Sequence, residues 1–415
     1  MLDRRSLAAL LAAGLMVAAC STGGTATGSP SAEAPTTAPS GAASPAASEA
    51  ASPSASTAAT GFAACGNENA GTALKIGGVT DVGHLDDKSF NEAGWCGTLK
   101  GGTSVGATSK VIVTKDKKDY QTNMNLLIDE GAKIIVTYGF ALGEDTARAA
   151  KAHPDVSFIG IDQFICVNED GTPAKSDPIT AACLGKGDPS KVLPNYQGLV
   201  FNEAQAGYLA GVLAGNLTKS KVIGTVGGIF SIPPVPQYMG GYENGALSVD
   251  PTITVLSDFV STDIAKAFGD PVRGKAIADQ MVAAGADVLF QVAGGSGQGV
   301  LQAACDNGLL AIGVDVDQYL SAPDYQKCLL TSAEKKLVNN TAAAIERVVH
   351  DTAVGGNVFL NATSDPVGIG LAPYHDLAST VTPEIQAQVD AALAALKGGL
   401  DPCKGPGTCF FDPDK

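Results

Sequence analysis

The sequence predicts an α/β protein made of two lobes, each a doubly wound parallel sheet. Two observations predict this fold. Short apolar stretches such as KIGGVT, KIIVTY and VLFQV alternate with helical patterns, and this strand–helix order runs through the chain twice. Short buried strands between helices are typical of parallel sheets covered on both faces. The part of the chain after residue 60 has about 350 residues, more than one hydrophobic core usually holds, which favours two lobes.

The two halves also resemble each other locally. LLIDEGAKIIVTYGF (126–140) and QMVAAGADVLFQVAGG (280–295) share one plan, in which a helix ends, Gly-Ala turns the chain and a strand follows. Gly131 and Gly285 stand where a helix end favours a left-handed residue. The similarity indicates either an internal repeat or two ordinary αβ units. Both interpretations give similar lobes whose ligand crevice lies at the carboxyl ends of the strands.

The first residues predict export and lipid attachment. Residues 1–19 have a charged start followed by a short apolar run, as a secretory signal peptide does, and VAAC places a lipobox-like site before Cys20. Residues 20–72 begin with a stretch of almost only Ser, Thr, Ala, Pro and Gly, which predicts a disordered tether. We therefore expect Cys20 to carry a lipid that anchors the protein on the extracytoplasmic face of the cell membrane.

Charge and cysteine content agree with an exported protein. The formal net charge is −15, so nucleic acid is not expected as a partner, and a neutral or cationic ligand is favoured. Eight further cysteines suggest disulfides outside the cytosol. Eight cysteines allow 105 connectivities. Nearness in sequence suggests the pairs Cys65–Cys96, Cys166–Cys183, Cys305–Cys328 and Cys403–Cys409.

The stretch VTDVGHLDDKSFNEAGW (79–95) joins the first strand to the first helix. SFNE has the Ser-x-x-Glu form of a capping box, which predicts that a helix starts at Ser89. Phe90 and Asn91 would then lie in a first turn that faces the crevice. We expect Phe90 to contact a ligand and Trp95 to pack against the core.

Several segments, in order, resemble the basic membrane protein family, the lipoproteins that serve ABC importers as substrate-binding proteins. They are TDVGHLDDKSFNEAGW (80–95), FNEAQAGYLAG (201–211), GTVGGIFSIPPVPQYMGGYENG (224–245), AGGSGQGV (293–300), IGVDVDQ (312–318) and LTSAEKK (330–336). The resemblance implies a type I periplasmic-binding-protein fold, with an ABC permease and ATPase as partners. It implies an amino-terminal lobe of 73–195 plus 318–362 and a carboxyl-terminal lobe of 196–317 plus 363–415.

The resemblance also implies a nucleoside site in the cleft, most often for a purine. Phe90 and Tyr238 match aromatic residues that stack on the base from opposite lobes. Asp81 and Asp162 match carboxylates that bind the base, while Asp315 and Lys335 match residues that hold the ribose hydroxyls. TSAE resembles a second capping box, which would put Lys335 in an early helical turn. The full set of expected ligand contacts is Asp81, Phe90, Asn91, Gly139, Asp162, Tyr238, Gly295, Asp315, Asp317 and Lys335.

Other functions find less support in the residues. GGSGQG (294–299) follows a strand as phosphate loops do, but it has neither a Walker lysine nor G-x-G-x-x-G spacing, and we interpret it as a tight turn facing the ligand. The four histidines stand apart from any nucleophile pattern, so an enzyme is not expected. Asp315 and Asp317 could instead serve turn chemistry or a metal, although no cofactor or metal is expected. Ligand sensing or sugar capture by the same fold remains the alternative function.

Overall fold

A computed structural model describes residues 65–176, 182–407 and 409 of the chain. The expected signal peptide and Cys20 lie outside these residues. The expected tether, 20–72, ends too late. Asn69 already forms a β-bridge with Thr108, and Cys65 is bonded to Cys96, so residues 65–72 belong to the folded part.

The strands are short and mostly buried. In chain order they are β1 (Leu74–Thr80), β2 (Ala107–Ile112), β3 (Ile134–Tyr138), β4 (Ser157–Ile161), β5 (Cys166–Val167), β6 (Pro173–Ala174), β7 (Tyr196–Phe201), β8 (Val222–Gly227), β9 (Thr254–Phe259), β10 (Val288–Val292), β11 (Leu310–Asp315), β12 (Leu329–Lys335), β13 (Gly356–Leu360) and β14 (Ile369–Leu371).

The helices fill the connections between strands. They are α1 (Phe90–Ser104), α2 (Tyr120–Asp129), α3 (Gly143–Ala152), α4 (Pro189–Val192), α5 (Glu203–Leu217), α6 (Pro234–Val249), α7 (Ile264–Ala267), α8 (Pro271–Ala283), α9 (Gly294–Asp306), α10 (Gln318–Ser321), α11 (Leu337–Val349) and α12 (Pro383–Lys397). Short 3₁₀ turns lie at Lys117–Asp119, Phe140–Leu142, Pro323–Tyr325 and His375–Thr380.

The expected pair of doubly wound sheets is confirmed. The first sheet has the order β13-β7-β4-β3-β1-β2 and the second has the order β14-β12-β11-β10-β8-β9. Neighbouring strands are parallel in both sheets except β14, which is antiparallel to β12. The two orders correspond strand for strand, and the similar segments noted in the sequence supply β3 and β10 at equivalent places. Gly131 and Gly285 both have the left-handed conformation, with φ of +94° and +99°.

The chain passes between the two sheets three times, at points that differ from the expected boundaries. β7 still belongs to the first sheet, so the first crossing follows Phe201 rather than residue 195. β12 still belongs to the second sheet, so the return follows Lys335 rather than residue 317. The third crossing follows β13, near the expected residue 362. The difference has a physical reason, since an apolar strand carries no signal for which of two similar sheets it joins.

Four disulfides join the suggested neighbours: Cys65–Cys96, Cys166–Cys183, Cys305–Cys328 and Cys403–Cys409. Each bond joins cysteines that are at most 31 positions apart. The bonds therefore fasten local segments, among them the start of the fold to α1 and α9 to the residue before β12.

This pairing predicts the thiol content of the exported protein. Thiol titration of residues 61–415 after oxidative secretion, denatured without reductant, should find less than one free thiol per molecule. The same titration after reduction should find eight, because all eight cysteines in that range are paired. Two or more free thiols before reduction would contradict the pairing.

Candidate functional site

A cleft lies between the carboxyl ends of the two sheets and encloses about 650 Å³ of empty space out to its open mouth. The first sheet and its loops contribute Asp81, Val82, Gly83, Asp87, Phe90, Asn91, Gly139, Phe140 and Asp162. The second contributes Ile232, Pro234, Val235, Tyr238, Phe268, Val292, Gly294, Asp315 and Lys335. The cleft therefore brings together eight of the ten expected contacts.

The start of α1 is held by Asp87 rather than by the expected capping box. Asp87 Oδ1 accepts hydrogen bonds from the backbone N–H of Ser89 (2.9 Å) and Glu92 (3.3 Å), while Oδ2 accepts from that of Asn91 (3.0 Å). Ser89 makes no side-chain cap. The helix starts where expected, but an aspartate two residues upstream satisfies more of its free N–H groups. Burial raises the pKa of Asp87 to about 7.

Asn91 is fixed by the same aspartate and has one acceptor atom without a described partner. Its Nδ2 donates to Val82 O and to Asp87 Oδ2, both at 3.1 Å. Its Oδ1 is buried and has no hydrogen-bond partner among the described residues. Because Asn91 lines the cleft, that oxygen is an acceptor suited to a donor group on a ligand.

The position of the Asp81 carboxylate depends on the absence of a side chain at Gly139. A Cβ at Gly139 would lie 2.0 Å from Asp81 Oδ2, so only glycine leaves room for the carboxylate, and Gly139 has a φ of +111°. The backbone N–H groups of Val82 (2.5 Å) and Ala141 (3.2 Å) donate to its two oxygens. Burial outweighs these bonds and raises the pKa of Asp81 to about 7.

Asp162 and Asp315 occupy equivalent places in the two lobes. Asp162 directly follows β4 and Asp315 ends β11, which are corresponding strands. Both have the left-handed conformation, with φ of +59° and +66°. Aspartate tolerates this conformation better than most residues, and such conformations concentrate at functional sites. The two turns direct a carboxylate from each lobe toward the middle of the cleft.

Lys335 lies between these carboxylates. Its Nζ is 2.5 Å from Asp162 Oδ2, 3.4 Å from Asp315 Oδ1 and 3.5 Å from Glu203 Oε1, and its side chain is 3% exposed. Burial alone lowers the pKa of Lys335, but the three carboxylates outweigh burial and hold that pKa above its ordinary value. Burial raises the pKa of Glu203 to about 8. We call Lys335, Asp162, Asp315 and Glu203 the buried quartet.

The expectation that Lys335 lies in an early helical turn is wrong. Lys335 is the last residue of β12, and α11 begins only at Leu337. All seven residues of β12 are buried, so packing against both faces of the sheet determines the structure, and the Thr331–Glu334 spacing forms no cap.

Two aromatic rings from opposite lobes flank the quartet. Lys335 Nζ is 4.8 Å from the centre of the Phe90 ring and 5.8 Å from that of Tyr238. Both distances suit a cation–π contact. Tyr238 packs edge-on against Phe290, with ring centres 6.0 Å apart, and its buried Oη has no hydrogen-bond partner within the described parts of the chain. Trp95, as expected, packs against the core.

Direct hydrogen bonds join the lobes beside the cleft. Ser89 Oγ donates to Asp315 Oδ2 at 2.8 Å. The carbonyl of Lys88 accepts from Gln318 Nε2 at 3.1 Å and from Ser321 Oγ at 2.8 Å. Gln318 is fully buried, and its Oε1 accepts from Gln291 Nε2 at 2.6 Å. A chain of polar contacts therefore connects the interior of the second lobe to the start of α1.

Two expected contacts lie elsewhere. Asp317 Oδ2 is 2.7 Å from His375 Nε2, and Asp317 is absent from the lining of the cleft. Gly295 lines an adjoining recess with His84, Asp86 and Gln298. Residues 294–299 form the first turns of α9 rather than a tight turn, and only Gly294 reaches the cleft. Asp317 lies beyond the end of β11, after the left-handed turn at Asp315, so its side chain does not follow that of Asp315 into the cleft.

Sequence reasoning missed Glu203, Asp87, Phe140 and Phe268. The sequence held one signal that could have identified Glu203 as a site residue. Asn202 and Glu203 directly follow the end of a buried strand, and Asn202 caps α5. Within the described residues, no group of three or more His, Cys, Asp or Glu side chains has the arrangement of a metal site. The quartet acids surround an ammonium instead.

A ligand cleft between two parallel-sheet lobes joined by three crossings defines a two-lobed solute-binding protein. The protein belongs to the Bmp family, described as ABC transporter substrate-binding protein PnrA-like, whose model matches residues 74–393. This confirms the resemblance seen in the sequence. Members of the family are substrate-binding proteins rather than enzymes, and they bind small molecules outside the cytoplasm.

Individual relatives agree with the family. The ABC transporter nucleoside-binding protein BmpA of Lactococcus lactis is 31% identical over 259 residues, which are 60% of this chain and 65% of the relative, slightly under two thirds of its length. Basic membrane protein A of Borreliella burgdorferi is 28% identical over 270 residues, covering 63% and 70%. The solved ABC transporter solute-binding protein of Conexibacter woesei has a TM-score of 0.61 at 23% identity, covering 82% of this chain and all of that one. It shows the same fold.

Across the described ranges, no helix is both long enough and apolar enough to span a bilayer.

The buried quartet predicts a pH-dependent cost of losing Lys335. Lys335→Met should destabilise the protein by about 3–5 kcal/mol near neutral pH, because three buried carboxylates lose their cation. Burial already raises the pKa values of Asp162 and Glu203, and both would rise further above those of the unfolded chain. The native variant would hold more protons than its unfolded chain between about pH 4 and 8, so its stability should fall as pH rises through that window.

Urea unfolding at pH 5 and pH 8 measures this effect. Lys275→Met is the matched control, since that ammonium also contacts two carboxylates, Asp279 (3.1 Å) and Asp306 (3.4 Å), but at the surface. It should cost less than about 1 kcal/mol at either pH. Equal destabilisation of the Lys335 variant at both pH values would argue against a coupled buried cluster.

Proposed function

We propose that this protein is a lipid-anchored receptor that binds a purine nucleoside and delivers it to an ABC permease and its ATPase. The observation that carries the proposal is the pair of aromatic rings, Phe90 and Tyr238, that approach from opposite lobes around a set of buried carboxylates. A nucleoside is a flat ring system with polar edges and a diol, and each part has a counterpart in this set.

The aromatic rings suit the base. Stacking on an aromatic ring contributes roughly 0.5–1.5 kcal/mol beyond burial of area. Asp81, near Phe90 in the same lobe, offers a carboxyl whose pKa of about 7 lets it accept or donate a hydrogen bond at neutral pH. Asn91 Oδ1 supplies a buried acceptor in the same wall. These groups complement a ring edge that carries both N–H donors and acceptors.

The buried quartet suits the sugar. Asp162 Oδ1 is buried without a hydrogen-bond partner among the described residues, and Asp315 stands opposite it. Carboxylates accept hydrogen bonds from hydroxyls, and bonds to charged groups contribute roughly 1.5–3 kcal/mol each. Lys335, fixed between the acids, can donate to a hydroxyl oxygen. We assign Asp315 and Lys335 to the ribose diol, with Asp162 close enough to both to share that role.

The same charges disfavour a phosphate. Lys335 is the only cationic side chain among the described residues that line the cleft, and three carboxylates already surround it. The printed name of the Lactococcus relative, a nucleoside-binding protein, supports the same class of ligand. The lipid anchor at Cys20 rests on the VAAC sequence that ends at that residue.

A sugar-binding or sensory role is the second candidate. The diol-binding acids would serve a free sugar as well, and the fold is shared with proteins of that kind. The two rings favour the nucleoside, because a flat aromatic base can stack on an aromatic ring from each side, whereas a free sugar offers only aliphatic C–H groups to the rings.

The binding class can be tested by calorimetry on the chain from residue 61 onward. Inosine, guanosine and adenosine should bind at least 10-fold more tightly than guanosine monophosphate or free guanine. The monophosphate adds negative charge beside the carboxylates, and the free base lacks the ribose diol. Equal or tighter binding of the monophosphate would refute the proposal.

Substitutions can separate the residues that bind the sugar from those that bind the base. Asp315→Asn should weaken a ribonucleoside by at least 10-fold, corresponding to roughly 1.4 kcal/mol or more, and should weaken its 2′,3′-dideoxy analogue much less. Phe90→Ala should weaken both forms alike because it removes stacking on the base. Asp317→Asn is the matched control, since this carboxylate contacts His375 outside the cleft, and it should change neither affinity more than 2-fold. Equal losses for both forms in Asp315→Asn would show that Asp315 does not bind the sugar.

A further inference from the structure

A second recess opens from the cleft and encloses about 480 Å³ of empty space, open to solvent. It shares three lining residues with the cleft: Phe140, Asp162 and Pro234. We call it the side chamber. Because the two spaces share these residues, they lie side by side, and an arm of a ligand held in the cleft would enter the side chamber past Phe140, Asp162 and Pro234.

Most of the side chamber is apolar and partly aromatic. Its apolar walls are Phe140, Phe164, Val200, Phe201, Pro233 and Pro234. They come from both lobes, because Phe201 ends β7 in the first sheet and Pro234 begins α6 on the second lobe. Aromatic and proline faces of this kind favour a short hydrocarbon segment over a strongly hydrated group. Aromatic faces also attract a cation that passes over them.

Acidic and acceptor groups complete the walls. Asp162 and Glu203, two members of the buried quartet, line the side chamber together with Gln237. Gln237 is 1% exposed, and its Oε1 has no hydrogen-bond partner in the described part of the chain. Asp162 Oδ1 is likewise buried and without a hydrogen-bond partner in the described part of the chain. Two buried acceptors without a described hydrogen-bond partner therefore border this space, whose lining also includes the hydroxyl of Ser176.

The charge balance of the buried quartet also favours a cationic group in the side chamber. Three carboxylates surround one ammonium, and Glu203, at 3.5 Å, is the most distant of the three from Lys335 Nζ. Burial raises the pKa of Glu203 to about 8 and so favours its protonated form, and a further cation beside it would favour the ionised form, which accepts a charged hydrogen bond. An anion would meet the same acids and be repelled, and a purely hydrocarbon group would leave the acceptors unsatisfied.

We propose that the side chamber is a second subsite, which receives a short apolar arm of the bound nucleoside that ends in a protonated amine. The walls contact the arm, and Glu203, Asp162 and Gln237 accept hydrogen bonds from its ammonium group. This inference rests on the proposed nucleoside function and narrows the substrate class to amine-bearing nucleosides.

Matched pairs of ligands test the subsite. 5′-Amino-5′-deoxyadenosine is compared with adenosine, and N6-(2-aminoethyl)adenosine with N6-propyladenosine, so that each amine has a neutral partner of similar size. Calorimetry on residues 61–415 should show at least one amine binding 10-fold or more tightly than its partner. The pair that shows the gain identifies whether the sugar or the base carries the arm.

Substitution connects the gain to the side chamber. Gln237→Met should remove at least half of the free-energy gain of the amine and leave adenosine within 2-fold. Gln298→Met is the matched control. Gln298 also lies on the second lobe and has a buried Nε2 without a described partner, but it lines the recess that shares Asp87 and Phe268 with the cleft. This control should leave both the gain and the affinity for adenosine unchanged.

The outcomes separate the two proposals. If adenosine binds but neither amine exceeds its neutral partner, or the gain survives Gln237→Met, the side chamber is not an amine subsite and the nucleoside function stands. If none of the four ligands binds, the nucleoside function fails and the subsite fails with it. The comparison of ligands on the unsubstituted protein decides the question even if the Gln237 variant does not fold.

Discussion

The ion cluster around Lys335 is the interaction on which the rest of the site depends. A single ammonium, almost inaccessible to solvent, contacts Asp162 from the first lobe and Asp315 from the second. Lys335 itself is the last residue of a strand before the chain returns to the first lobe. Removing charges from water costs several kcal/mol per ion, so such a cluster persists only where its partners are held in place. The fold holds them with two left-handed turns at equivalent strand ends.

The cluster also connects the lobes to each other. Asp315 accepts from Ser89 Oγ as well as facing Lys335, and the neighbouring Lys88 carbonyl accepts from Gln318 and Ser321. Each of these contacts requires the two lobes to approach. A ligand that adds further contacts to both lobes would shift the equilibrium between open and closed forms toward the closed one. In the proposed function, the same acids would serve both ligand recognition and closure of the lobes.

Much of the fold could be predicted from the sequence because it depends on local patterns. Short apolar strands between helices indicate parallel sheets, and Gly131 and Gly285 mark helix ends by their need for a positive φ. The place of Asp81, Asp162 and Asp315 follows from strand ends for the same reason. Gly139 could be predicted as a site residue, but its physical role, leaving room for the Asp81 carboxylate, required coordinates.

Other features depend on contacts between distant segments, which a single sequence does not reveal. TSAEK has the spacing of a capping box and yet forms a strand, because burial on both faces outweighs a local cap. Asp87 rather than Ser89 caps α1, and the Ser89 hydroxyl instead donates to Asp315 in the other lobe. Glu203 joins the quartet only because the chain crosses between lobes at residue 202. The expected crossing points were wrong because similar strands fit either sheet.

The most direct test of the central claim is native mass spectrometry of the protein secreted from its own cells and purified without dialysis. The account predicts a bound molecule whose mass matches a nucleoside, present in the unsubstituted protein and lost from Phe90→Ala and Lys335→Met. The Asp317→Asn protein should retain it. A bound free sugar or peptide, or a nucleoside retained by both cleft variants, would contradict a nucleoside site formed by the aromatic pair and the buried quartet.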